Sequence, residues 1–183
     1  MIEILRIAVV IILSIVLIFN LFLLVLLLIS LMRKVPYVPS GKKQVDAMVK
    51  IAKITAKDSV CDLGCGHGTL LFAAEKATKA KELIGYESAP LPLFINFLVR
   101  LFKKTKVKIL NKNFFKEDLS KYSVVLLYLL PETMDALLPK LKKELKKGTR
   151  IISNSFQFKD LKPKKVYTEK DIPGIRPIYE YEL

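Results

Sequence analysis

The chemistry in this chain gathers around one glycine-rich turn. Asp62-Leu63-Gly64-Cys65-Gly66-His67-Gly68 follows a short apolar run, Ser59–Leu63, that reads as a buried strand. The glycines fall at G-x-G-x-G. A dinucleotide fingerprint needs G-x-G-x-x-G, and that spacing would put its third glycine at Thr69. No P-loop lysine accompanies the turn, so neither a pyrophosphate nor a nucleoside triphosphate is implied. Glycines there let a bulky ligand approach the backbone without Cβ collisions. A carboxylate at Asp62, directly before the loop, repels phosphate and attracts ammonium or sulfonium groups.

A second acidic residue closes the next strand. Gly85-Tyr86-Glu87 ends 23 residues beyond Gly64, and a carboxylate at that strand end can accept both hydroxyl protons of a ribose. After the third strand comes Asn111-Lys112-Asn113-Phe114-Phe115. Asn113 can hydrogen-bond an adenine edge, and Phe114 can pack on the ring. A ribose, an adenine, two cations and no phosphate describe S-adenosylmethionine. The expected cofactor site is therefore Asp62, Gly64, Cys65, Gly66, His67, Gly68, Glu87, Asn113, Phe114 and Leu130.

The elements that must position these residues alternate in type. Strands are expected at Ser59–Leu63, Glu82–Tyr86, Lys106–Leu110, Ser123–Leu130, Thr149–Ser155, Lys165–Thr168 and Ile178–Glu182. Helices are expected from Ser40, as N-cap, to about Thr55, and at Thr69–Thr78, Pro92–Lys103 and Glu132–Lys147, the last closed by Gly148 at its C′ position. Alternation from residue 58 to 155 implies an α/β fold, an open and mostly parallel sheet covered by helices on both faces. Ligands bind such a sheet beyond the carboxyl ends of its strands.

These motifs resemble the class I, seven-strand methyltransferases. More narrowly, V-P-Y-V-P-S at 35–40, D-L-G-C-G at 62–66, G-Y-E at 85–87, N-F-F at 113–115 and the stretch from Leu129 to Arg150 resemble one family. It comprises the broad-specificity prokaryotic protein-lysine methyltransferases and the mitochondrial enzymes acting on the ATP synthase c-subunit and the adenine nucleotide translocase. The resemblance implies a Rossmann-like seven-strand methyltransferase sheet, S-adenosylmethionine as methyl donor and a protein substrate with an accessible lysine. Methyl transfer to a neutral lysine needs an apolar pocket beside the sulfonium, and the candidates for it are Tyr37, Val38 and Pro39 from the linker, with Tyr128, Leu130 and Pro131 at the end of the fourth strand. Asn154 and Phe156 are weaker candidates. One departure stands out: the family's loop reads G-D-G-R where this chain has Gly66-His67-Gly68-Thr69, so His67 supplies no carboxylate beside the methionine moiety.

Composition narrows the alternatives. The chain has 183 residues, 31 Lys+Arg against 17 Asp+Glu, and a net charge of +14. Residues 1–32 hold only Glu3 and Arg6, so the whole excess of charge lies beyond them. The two cysteines, Cys61 and Cys65, and the lone His67 are too few for a zinc site or a disulfide framework. Residues 7–31 form an apolar run whose polar members are Ser14, Asn20 and Ser30. At ~1.5 Å per residue it makes ~37 Å of helix, enough to cross a ~30 Å hydrocarbon core. A signal sequence competes with this reading, but the run is too long for an h-region and no small-x-small site follows it. Arg33, Lys34, Lys42 and Lys43 follow the run where only Arg6 precedes it, which sets the remainder of the chain on the cytoplasmic side of the bilayer.

The expected organisation is an anchor at 1–34, a linker and helix at 35–57, and the methyltransferase domain at 58–183. The basic excess keeps an RNA acceptor in view, yet no aromatic-interleaved basic motif points to nucleic acid. A lipid-soluble small-molecule acceptor and a non-catalytic cofactor-binding module are the other competing readings.

Overall fold

The computed structural model describes residues 1–32 and 40–183. Helix α1 runs Ile2–Met32, followed by α2 (Lys42–Ala52), β1 (Ser59–Leu63), α3 (Thr69–Ala77), β2 (Glu82–Glu87), α4 (Pro90–Phe102) and β3 (Lys108–Asn111). A 3-10 turn, Phe114–Lys116, precedes β4 (Val124–Leu127), α5 (Pro131–Glu144), β5 (Arg150–Asn154), β6 (Lys165–Tyr167) and β7 (Ile178–Glu182).

The strands form one seven-stranded sheet in the order β3-β2-β1-β4-β5-β7-β6. The first five are parallel; β7 pairs antiparallel with both β5 and β6. This is the seven-strand methyltransferase sheet, and the strand order reverses between β1 and β4, where an α/β sheet opens its crevice.

Alternation along each strand divides the core. Val60, Leu83, Val124, Leu126 and Ile152 pack against α2 and α3, with Val99 of α4 beside them. Cys61, Leu63, Ile84, Tyr86, Val125, Leu127 and Ile151 point the other way and meet Met134, Leu137, Leu138 and Leu141 of α5. On that side the hydroxyls of Tyr86 and Tyr122 meet at 2.8 Å, which satisfies both phenols in an apolar setting.

Below the sheet, Arg150 fastens the strands to α2. Its Nη1 donates to the carbonyls of Ala52 and Lys53 at 2.6 and 2.8 Å, and its Nη2 donates to Asp58 Oδ1 at 2.7 Å. Burial alone would raise the Asp58 pKa, but donation from Arg150, Ser123 and Thr55 overrides it and lowers the value to about 2.

Some boundaries differ from expectation, each for a local reason. Gly41, not Ser40, caps α2, and no side chain bonds to that helix end; the Ser40 hydroxyl instead accepts from Asn154 Nδ2 at 3.2 Å. Helix α5 stops at Glu144 with Leu145 as its cap. Gly148 keeps its positive φ of 85° but serves the turn into β5 rather than the helix end. The fourth strand is shorter than its apolar run, because Tyr128, Leu129 and Leu130 leave the sheet to form the crevice wall.

Helix α1 contains a 28-residue stretch, Ile2–Ile29, long and apolar enough by length and composition to cross a membrane, with none of its most apolar window buried against the rest of the protein. Its mid-helix amide is satisfied locally, Asn20 Nδ2 donating to the Val16 carbonyl at 2.8 Å.

Candidate active site

A cleft of about 490 Å³ opens beyond the carboxyl ends of β1, β2 and β4, within the size range of small-molecule sites, roughly 300–1,000 Å³. Its floor is Asp62. β1 is flanked on both sides, with Asp62 in register with Gly85 of β2 and Leu126 of β4. That central position leaves Asp62 5% exposed. Among the described residues, no donor hydrogen-bonds its carboxylate. Burial, and then the charge of Glu87, push its pKa up to about 7. An acid held in that state accepts a cation readily, because a positive group supplies what the apolar surroundings withhold.

The loop above Asp62 is tied down by the second strand. The amides of Gly64 and Cys65 donate to the Tyr86 carbonyl at 2.9 and 3.1 Å, and the Gly66 amide donates to Glu87 Oε2 at 3.0 Å. Gly64 has φ 78°, and a Cβ there would come within 2.9 Å of Leu129 Cδ2. The positive φ favours glycine at this position, and a Cβ would also make the Leu129 side chain shift. Glu87 Oε1 accepts from the Ser88 and Ala89 amides, each at 2.7 Å, which fixes the carboxylate at the entry to α4.

The far wall comes from the chain after β3. Asn113 and Phe114 both line the cleft, with Lys112 beside them. Asn113 Oδ1 accepts from the Phe115 amide at 3.0 Å and so caps the 3-10 turn, leaving its Nδ2 as the group available to a ligand. Phe114 packs against Phe115 with ring centroids 4.9 Å apart.

The opposite end of the cleft is aromatic. Tyr128 stacks on Phe156, with ring centroids 6.3 Å apart and planes 19° from parallel. Arg176 Nη1 donates to the Tyr128 hydroxyl at 2.7 Å. Leu129 and Leu130 line the wall between this end and the glycine loop.

Of the sequence-expected positions, Asp62, Gly64, Cys65, Gly66, Glu87, Asn113, Phe114, Tyr128, Leu130 and Phe156 converge on this cleft. Four do not line it. His67 is bonded beside it: its Nε2 lies 2.6 Å from Thr69 Oγ1, and burial lowers its pKa. Gly68 faces β3, where a Cβ would crowd Ile109. Pro131 is spent on starting α5, where its missing N–H costs nothing, and Thr133 lines the cleft in its place. Asn154 is fully buried in a polar network, accepting from Gln44 Nε2 at 2.8 Å and from Ser155 Oγ at 2.9 Å. Tyr37, Val38 and Pro39 lie outside the described residues.

Other lining residues had weak sequence signals. Val45 and Met48 close the cleft from α2; their i, i+3 spacing marks a helix face but not what that face covers. Ser40, Thr69 and Pro92 also line it, and their residue types carry no signal of ligand contact.

A loop whose glycines all take positive φ, a buried carboxylate to which no described residue donates and a fixed carboxylate on the neighbouring strand mark a class I, S-adenosylmethionine-dependent methyltransferase. The donor's ammonium and sulfonium suit Asp62, its ribose suits Glu87, and its adenine suits Asn113 and Phe114. Comparison with known proteins agrees. Residues 62–165 match the ANTKMT methyltransferase domain, and the chain belongs to that family. It is 36% identical over 152 residues to a protein-lysine N-methyltransferase of Saccharolobus islandicus (strain REY15A), covering 81% of this chain and 94% of that protein. It is 30% identical over 156 residues to the human lysine N-methyltransferase of the ATP synthase c-subunit, covering 82% of this chain and 64% of the human protein. Among solved structures, an RNA methyltransferase from Salinibacter ruber in complex with S-adenosyl-L-homocysteine superposes with a TM-score of 0.70 at 27% identity, covering 79% of this chain and 93% of that one.

Proposed function

We propose that this methyltransferase acts on the ε-amine of lysine in a protein, anchored in a bilayer by α1 with its catalytic domain on the cytoplasmic side. The observation that carries the acceptor class is the polarity of the cleft. One end is acidic, at Asp62 and Glu87, and the other is apolar and aromatic, at Leu129, Leu130, Tyr128 and Phe156. Similarity to the archaeal protein-lysine N-methyltransferase supports the same acceptor. The basic residues Arg33, Lys34, Lys42 and Lys43 after the apolar run at 7–31, set against Arg6 before that run, support the orientation.

S-adenosylmethionine, when bound, supplies a methyl group on a positively charged sulfur that is displaced in line by a nucleophile. The chain's own residues bind, orient and dry the reactants. Asp62 balances the donor's positive charge, and Glu87 and Asn113 fix its ends. The acceptor nitrogen must be neutral to attack. Lysine loses its proton more readily in an apolar enclosure and beside another cation, so Leu129, Leu130 and the stacked pair favour the free amine. Tyr128 and Phe156 flank the aliphatic stem and align it, and alignment lowers the barrier by holding the reacting atoms in line. Ser40 lines the cleft; Tyr37, Val38 and Pro39 directly precede it in sequence, and we assign them a role toward the acceptor. No histidine base is needed; the His67 ring bonds to Thr69 and is not among the residues lining the cleft.

The test is transfer of labelled methyl from the donor to membrane and soluble lysates by the full chain, followed by mass spectrometry. Label on lysine that survives nuclease and vanishes with protease is expected. Label that vanishes with nuclease and survives protease would establish an RNA acceptor, the reading favoured by the Salinibacter ruber neighbour. A reporter fused at the carboxyl terminus tests orientation; an extracytoplasmic signal overturns it.

A further inference from the structure

Helix α4 presents two apolar faces. Pro92 and Asn96 are buried and Val99 packs on the core, an i, i+4, i+7 row that faces the sheet. On the other side Phe97, Leu98, Leu101 and Phe102 are exposed, Phe102 by 91%. So dense an apolar patch on one short helix marks an interaction surface. With 13 residues, α4 is ~20 Å long, too short to cross a ~30 Å core. Its neighbour is α1, with Phe22 and Phe94 meeting edge to face at a centroid distance of 5.4 Å.

We propose that the exposed face of α4 lies in the bilayer interface, so that the catalytic domain rests on the lipid surface as well as being tethered to it. The inference rests on the reading of α1 as a membrane span, and three observations carry it. The Phe22–Phe94 contact joins the apolar surface of α4 to that of α1 without a polar break. Position agrees: Phe22 lies in the carboxyl-terminal half of the apolar run at 7–31, so α4 meets α1 on the side of the bilayer from which the catalytic domain follows. Charge agrees: Arg100, Lys104, Lys106 and Lys108 are exposed at and after the carboxyl end of α4, a fringe suited to anionic headgroups. Ala89 and Pro92, at the start of the same helix, line the cofactor cleft. The docked domain therefore holds its active site at the height of the headgroups, within reach of lysines that flank membrane-embedded segments.

The experiment places a nitroxide on the full chain in nanodiscs of phosphatidylcholine and phosphatidylglycerol. Cys61 and Cys65 are buried, so labelling is directed to single introduced cysteines: Leu101→Cys and Phe102→Cys on α4, Leu13→Cys on α1, and Lys143→Cys on α5 across the sheet. Collision with oxygen, which partitions into lipid, is compared with collision with a water-soluble nickel chelate. Labels at 101 and 102 are expected to favour oxygen as the label at 13 does, while the label at 143 favours nickel. Nickel-like values at 101 and 102 with an oxygen-like value at 13 overturn the docking and leave the anchor standing. Nickel-like values at all three overturn both. Exclusion of both reagents at 101 and 102 means that protein covers the face, and that also overturns the proposal.

Discussion

The Gly66 amide donates to Glu87 Oε2 at 3.0 Å, so the carboxylate that ends β2 also holds the crest of the loop that follows β1. One side chain thus organises the backbone of the glycine loop and, in the function proposed above, would also address the donor's ribose.

Removing that carboxylate should cost both functions. Glu87→Ala is expected to weaken S-adenosylmethionine binding by about 100-fold or more, two or three charge-assisted hydrogen bonds being lost together. Calorimetry on the full chain measures it, and unchanged affinity would take Glu87 out of the site. Glu87→Gln keeps an acceptor for part of the amide set and should fall between the two.

Asp62 sets a pH dependence with a definite sign. Its folded pKa, about 7, lies above the ordinary aspartate value near 3.9. Between these values the folded chain keeps a proton that the unfolded chain has released. The stability contributed by this group is therefore present below pH ~4 and lost as pH rises through 7. A cationic ligand favours the ionised form, so binding of the donor should release a proton and tighten by up to about tenfold per pH unit below 7, levelling above it. Calorimetry in buffers of different ionisation enthalpy checks the proton release. Asp62→Asn should abolish the slope along with most of the affinity.

The Asp58–Arg150 pair behaves in the opposite sense. With a folded pKa near 2, Asp58 contributes stability above its unfolded value, lost as pH falls from ~4 towards 2. Arg150→Met strips the Ala52 and Lys53 carbonyls and leaves Asp58 with its charge unpaired. A loss of about 2–4 kcal/mol is expected, read as a lowered denaturation midpoint, with donor affinity little changed in the protein that remains folded.

The aromatic end of the cleft should separate acceptor effects from donor effects. Tyr128→Ala or Phe156→Ala is expected to lower kcat/KM for the acceptor by about tenfold, ~1.4 kcal/mol. Calorimetric donor affinity should stay within about twofold. A parallel loss of donor affinity would place the stacked pair at the cofactor rather than the acceptor.

Most of the sheet was legible in the sequence because its strands are short apolar runs bracketed by loops. Ser59–Leu63 and Ile178–Glu182 fall where their patterns put them. The insertion of β7 between β5 and β6 was not, since antiparallel pairing at a sheet edge leaves no periodicity of its own. Helix ends depart from the sequence pattern where a residue type suits a role that the fold assigns elsewhere. Ser40 is a good cap in isolation, yet its hydroxyl is taken by Asn154. In the site, Asp62, Glu87, Asn113 and Phe114 were legible because polar or aromatic residues at strand ends have few structural uses. Val45 and Met48 were not, because an apolar helix face looks the same whether it covers a core or a ligand. His67 sits in the loop with its ring bonded to Thr69, a pairing that residue type and position do not announce.

One packing detail reaches beyond a single structure. A Cβ on Gly85 would strike Cys65 Sγ and come within 2.9 Å of Leu71 Cδ1. The three positions therefore share one volume and constrain one another's evolution. Alanine at 85 forces the Cys65 and Leu71 side chains to give way, so replacements there should be better tolerated when they come with smaller residues at 65 or 71.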